Sequence, residues 1–150
     1  MRRSAFYGML FTFLCLPGLY GQYVYPERFE NCYLDEFKYE ETRIIAEIDN
    51  EKLKSVITSG WDYKMLKKAE GFLGLQILVD RKGGSCLMSV RNDTNMKLKK
   101  MNLEANVNEN LKWKGQSDKI SAIVLLEFKD GEIVVKRLGT TDMRNLVEIH

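Results

Sequence analysis

The chain has one histidine among its 150 residues, and it is the last residue, His150. Ser-His-Asp and Cys-His catalytic arrangements are therefore out of reach, and a zinc site would lack its commonest nitrogen ligand. Two prolines leave no room for a proline-rich spacer, and no repeat or low-complexity stretch interrupts the chain. Charge is nearly balanced, with 23 basic against 21 acidic side chains, so no global field steers nucleic acid or an acidic membrane towards it. No apolar run reaches the ~20 residues needed to span a bilayer.

What is present begins with a targeting pattern. Met1-Arg2-Arg3 is followed by a short apolar core over residues 5–16, and Pro17-Gly18 then break it, as in a secretory signal peptide. A transmembrane anchor is the rival reading, opposed by the shortness of the core and by Pro17. Cys15 lies inside the apolar core after Phe13-Leu14, without the small residue that a lipid-attachment site wants before it. Cleavage after Gly21 leaves a mature chain that starts at Gln22 and carries 21 basic and 21 acidic side chains. The expected location is periplasmic or secreted, with no membrane span after cleavage. The divisions are a signal peptide (1–21), an N-terminal arm (22–49), an α+β domain (50–138) and a C-terminal tail (139–150).

Cys15 leaves with the signal, and Cys32 and Cys86 remain as an even pair in an exported protein, where disulfides persist. A bridge would close a long loop, worth about 4 kcal/mol by chain entropy. Two separate buried thiols are the alternative, because sequence does not supply the Cα spacing.

Periodicity assigns the elements. Ile44, Ala46 and Ile48 alternate as in a strand, although Ile44, Ile45 and Ile48 also fit a helix face. Asn50 opens a helix through Leu53, Val56 and Ile57 that stops at Gly60, and Asp62 caps a second with Met65, Leu66 and Ala69 on one face. Leu73, Leu75, Ile77 and Val79 alternate, and after the turn at residues 81–84 Cys86, Met88 and Val90 resume the alternation, giving a hairpin. Residues 97–112 predict a helix with Leu103, Val107 and Leu111 on its apolar face, although the apolar residues from 101 to 107 also alternate. Ile120, Ala122, Val124, Leu126 and Phe128 form the longest strand, and Asp130-Gly131 is a strong hairpin turn leading into Ile133, Val134 and Val135. The tail shows weak helical spacing at Met143, Leu146 and Val147. The order implies an α+β two-layer sandwich, an antiparallel sheet with helices packed on one face.

Residues 51–137 also carry an ordered set of short motifs: a first helix at 53–57, Tyr63, Gly74, an apolar strand ending Val79-Asp80, a glycine turn, Lys112-Trp113-Lys114, and a strand ending in Phe128. In that order and spacing the chain resembles the C-terminal domain of TonB-type energy transducers, in the divergent form found in exported Bacteroidetes proteins. It departs at Lys64 and Gly115, where that family usually has proline, and it has no long proline-rich spacer. The resemblance implies the α+β sandwich and a periplasmic setting. It also implies that Tyr63, Gly74, Asp80, Trp113 and Phe128 are structural positions, and it argues against energy transduction itself.

Other candidate chemistry reads more plainly as surface or core. Asp35, Glu36, Glu40 and Glu41 supply oxygen ligands for calcium only outside any EF-hand spacing. Lys97, Lys99, Lys100, Lys112 and Lys114 gather beside Trp113 as a lysine-rich face. Asp80-Arg81-Lys82-Gly83-Gly84 lies inside a hairpin rather than before a helix, so it reads as a turn. Asn92-Asp93-Thr94 fits a glycan acceptor only in a eukaryotic source. Trp61, Tyr63 and Trp113 read as core or core-rim anchors. No catalytic residue, metal or cofactor is expected. The functional candidate is the sheet edge Glu132, Ile133, Val134, Val135, Lys136 and Arg137, which can accept an extended peptide as a further strand or can be a charge-protected edge. The chain therefore reads as a non-enzymatic binding module for a protein or peptide of the cell envelope, monomeric or weakly dimeric. An exported inhibitor or immunity-type protein, blocking an enzyme with a loop such as residues 91–95, is the second expectation.

Overall fold

The computed structural model describes residues 22–150; the expected signal segment lies outside the described residues. The alternating apolar runs form the centre of one seven-stranded sheet. Its strands are β1 (Glu27–Arg28), β2 (Lys38–Tyr39), β3 (Gly71–Val79), β4 (Ser85–Thr94), β5 (Ile120–Lys129), β6 (Glu132–Gly139) and β7 (Val147–Ile149). Their order is β1-β4-β3-β5-β6-β7, antiparallel throughout, and β2 adds a short parallel pairing beside the start of β5. Helices α1 (Asn50–Ile57), α2 (Tyr63–Lys67) and α3 (Leu103–Ala105) make the fold α+β.

One face of the sheet is apolar. Leu73, Leu75, Ile77 and Val79 join Ile120, Ala122, Val124, Leu126 and Phe128 in a core closed by Leu53 and Ile57 of α1, Trp61, Leu103 and Val107. The opposite face is sealed by the arm, through polar groups. Gln76 is fully buried there; its amide donates to the Gln22 carbonyl (2.8 Å) and to Ser121 Oγ (3.0 Å). Its Oε1 accepts from Val24 N (2.8 Å) and from Ser89 Oγ (2.6 Å). Tyr25 lies on Gly74, where a Cβ would come within 2.6 Å of its ring. Burial of these hydroxyls raises the pKa of both Tyr25 and Tyr39 to about 12.

The helix starts are close to expectation. Asp49, one residue before Asn50, caps α1 by accepting from Lys52 N (2.9 Å), and Asp62 caps α2 by accepting from Lys64 N (2.7 Å).

Four expectations need correction. Residues 44–48 form no strand, because the Glu40 carboxylate takes the N–H groups of Ile45 and Ala46 (2.7 and 2.8 Å) that a ladder would use. Residues 97–112 are not one helix. Asn102 adopts a left-handed conformation (φ 49°), so a 3₁₀ turn at Leu98–Lys100 is followed by α3 and a π turn at Asn106–Asn110. Buried Asn106 donates to the carbonyls of Ile57 and Ser59 (3.0 Å each), the side-chain competition that makes asparagine a poor helix former. The β3–β4 register shifts between Gln76 and Ile77, with Gln76 opposite Ser89 and Ile77 opposite Leu87. Met88 is thus the extra residue of a bulge, so Leu87 and Val90 face the apolar core while Cys86 turns to the arm. The tail is not helical: β7 pairs with β6 after a turn in which Met143 takes a positive φ of 62°.

Candidate functional site

The Asp130-Gly131 turn sets the geometry of β6. Both residues have positive φ (53° and 77°), as a type I′ turn requires, and the ladder with β5 runs without a shift from Lys129–Glu132 to Ile123–Leu138. A two-residue turn closes on a hydrogen-bonded pair, and such pairs alternate along an antiparallel ladder. Glu132, Val134 and Lys136 therefore direct their backbone groups at β5, while Ile133 and Val135 direct theirs outward. β7 takes up the outward side only from Arg137, which lies opposite Ile149. Along residues 132–136, no strand or other protein group among the described residues bonds to that outward backbone.

Two clefts flank this stretch. One, of about 550 Å³, lies between the start of β6 and α1, where Ser55 and Thr58 present short side chains beside Glu132 and Ile133. The other, of about 770 Å³, is lined by Lys52, Lys112, Trp113, Lys136 and Glu148 among others. Val134 is exposed (48%), Ile133 and Val135 pack partly against the core, and Lys136 reaches Glu148 at 3.6 Å.

Arg137 does not belong to the open stretch. Its outward backbone faces β7, and its side chain is 5% exposed. The guanidinium pairs with the buried Glu40 carboxylate, donates to the Ala46 carbonyl (2.8 Å), and lies 5.0 Å from the centre of the Trp113 ring. Strand alternation is the reason: Ile133 and Val135 face the core, so Arg137 faces it too and needs a buried partner. That register was the available signal for the pairing with Glu40, and the position of Gln76 on the second face of β3 was the signal for the hub under the arm.

The remaining candidates are scattered. Asp80 organises the β3–β4 turn by accepting from Lys82 N (2.8 Å) and Gly84 N (2.9 Å). Trp113 donates to Ser85 Oγ (2.8 Å), and Phe128 stacks on Trp61 at 5.9 Å. Tyr63 is 75% exposed at the start of α2, far from the core role expected of it. The acidic candidates separate, Glu40 to Arg137 and Asp35 to Lys119. Among the described residues no set of three or more His, Cys, Asp or Glu side chains is placed to hold a metal ion. The lysines divide as well. Lys97 and Lys100 lie beside α2, whereas Lys112 and Lys114 line the larger cleft, where Lys114 pairs with Glu47 (2.9 Å). Arg91 and residues 92–94 are not a loop but the end of β4, paired with β3.

Cys32 and Cys86 form a disulfide with Cα atoms 5.6 Å apart, fastening the arm to β4. Such a bond is compatible with an oxidising compartment. No described helix is long and apolar enough to cross a membrane. Comparison of the chain with protein-family models, with curated proteins and with solved structures gives no match.

Proposed function

We propose that this chain is a non-enzymatic binding module of the cell envelope that takes an extended partner segment as an additional strand on β6. The observation that carries the reading is the regular run at residues 132–136, which has no proline and no bulge and whose outward backbone is unpartnered among the described residues. Main-chain pairing supplies affinity in this mode, and pockets beside the edge select side chains. The two flanking clefts fill that second role, one bordered by α1 and one carrying Lys52, Lys112 and Lys136. A partner segment with small side chains towards α1 suits the smaller cleft, and polar side chains suit the larger, where Lys52 and Lys112 lie beside the Lys136–Glu148 and Lys114–Glu47 pairs. The resemblance to TonB-type domains and the disulfide agree with a periplasmic setting. The inhibitor reading is less favoured, because the segment proposed for it, residues 91–95, lies mostly within the β3–β4 ladder.

The test is a display library of random octapeptides screened against the exported chain. Selected peptides should slow amide hydrogen exchange at Ile133 and Val135, and Val135→Pro should abolish their binding while keeping the far-ultraviolet spectrum. Proline at this position removes an outward donor and leaves the β5 ladder intact. Peptides that protect other amides, or a library that yields none, would overturn the reading.

A further inference from the structure

The open stretch of β6 reads Glu132-Ile133-Val134-Val135-Lys136, and it is complementary to itself when reversed. Only residues 133 and 135 direct backbone groups outward, so a second β6 can bond to it only in a register that brings those positions face to face. In the antiparallel register centred on Val134, Ile133 of each copy meets Val135 of the other and both outward residues are satisfied on both chains. The same register sets Glu132 opposite Lys136 twice, and Val134 opposite Val134. Shifting by one residue puts outward groups against inward ones. Shifting by two leaves Glu132 or Lys136 without its opposite charge, and on one side runs into β7 at Arg137.

We infer that β6 pairs with β6 of a second copy of this chain about a two-fold axis through Val134, joining two sheets into one. The inference rests on the same open edge as the proposed function but names a different occupant. Three observations fit the copy as occupant. The unpartnered run is five residues long, bounded by the Asp130-Gly131 turn and by β7, and the register uses all of it. Val134 is exposed (48%) although it lies in the middle of a strand, and the two-fold contact covers it. The charges at the ends of the run are of opposite sign and at equal distance from its centre, which turns what would be edge protection into selection for a reversed copy of itself. On the α1 side, the start of the edge borders a cleft lined by Glu51, Lys54, Ser55 and Thr58. Self-pairing and peptide capture then compete, so the dimer is the resting form and a partner segment displaces one copy.

Charge reversal tests this in solution with the exported chain. Sedimentation velocity of the natural chain should show a concentration-dependent monomer–dimer equilibrium. Lys136→Glu places two acidic side chains opposite one another and Glu132→Lys places two lysines so; each should weaken dimerisation about tenfold or more. An equimolar mixture of the two variants restores every opposite-charge pair and should recover the dimer, as should the double exchange E132K/K136E. A natural chain that stays monomeric up to millimolar concentration, single variants that dimerise as well as it does, or a mixture that does not recover would each overturn the inference. Amide protection at Ile133 and Val135 by selected peptides in the absence of any dimer would sink the self-pairing alone and leave the proposed function standing.

Discussion

The two edges of this sheet are treated in opposite ways. Along β4, the arm pairs at Glu27 and Arg28, Phe29 N donates to the Met88 carbonyl (2.9 Å), and Asn108 Oδ1 takes the Leu87 N–H (2.7 Å). The Cys32–Cys86 bond then fixes the arm in place. Along β6, β7 covers residues 137–139 and the preceding five residues carry only charge at either end. A short paired strand, a side-chain cap and a covalent tie close β4 at residues 86–90, whereas two charges close an edge only against strands that lack the matching pattern. The difference leaves five residues of β6 open at one edge and ties the arm down at the other.

Arg137 marks the boundary between closed and open on the β6 side, so its removal has the largest expected effect. Arg137→Ala leaves the Glu40 carboxylate buried (1% exposed) without its counter-charge, and the Ala46 carbonyl loses its donor. Destabilisation of about 3–5 kcal/mol is expected in urea unfolding, with the arm released first. Glu40→Leu with Arg137→Met should return only part of it, because the apolar pair removes the unpaired buried charge but leaves the Ala46 N–H and carbonyl without their partners. A single variant of natural stability would mean that β7 and the arm are held by packing alone.

Next in size is the bond that closes the other edge. Replacing Cys32 and Cys86 by serine frees a 54-residue loop in the unfolded chain, a loss of about 4 kcal/mol by loop entropy. The comparison is sharpened by where the loss appears. Amide exchange should quicken along the arm and at Phe29, whose bond to β4 depends on the arm, while β6 keeps its natural protection. Equal loosening of both edges would show that they are coupled through the sheet rather than closed separately.

The contrast between the edges was only half legible in the sequence. The alternation at 73–79 and 120–128 and the Asp130-Gly131 turn carry the centre of the sheet, because period-two burial and a two-residue turn leave little freedom of register. The cysteine pair was visible as a possibility, and its realisation depends on a bulge at Met88 that turns Cys86 to the arm's side. What sequence could not show depends on contacts distant along the chain. Glu40 replaces a strand ladder at Ile45 and Ala46, Asn106 breaks a helix by bonding to the end of α1, and β7 finds β6 only after a turn made by side chains. Of the candidate edge Glu132 to Arg137, the last residue is buried and faces β7, because Arg137 reads as a surface charge until its register is known.

The smallest effect expected belongs to that side-chain turn, and it decides how long the open edge is. The Asp142 carboxylate accepts from the backbone of Asn145 (2.8 Å) and of Arg144 (2.9 Å), and from the Asn145 side-chain amide (2.7 Å). These bonds, the backbone of Asn145 foremost, favour the charged form and lower its pKa from 3.8 to about 2. A carboxylate whose pKa is lower in the folded state contributes stability in full above its ordinary value and loses it as the pH falls through the folded one. Between pH 3.8 and about 2 the turn should therefore loosen and β7 should fray from residues 137–139, extending the unpaired run towards the end of β6. Amide exchange at Arg137 and Ile149, which face one another across the β6–β7 ladder, followed through that interval reads the change. Asp142→Asn, which keeps an acceptor oxygen but does not titrate, should abolish the pH dependence. If the natural chain frays no more at pH 2 than at pH 5, β7 is held by Ile149 in the core rather than by the turn, and the boundary of the open edge is a matter of packing.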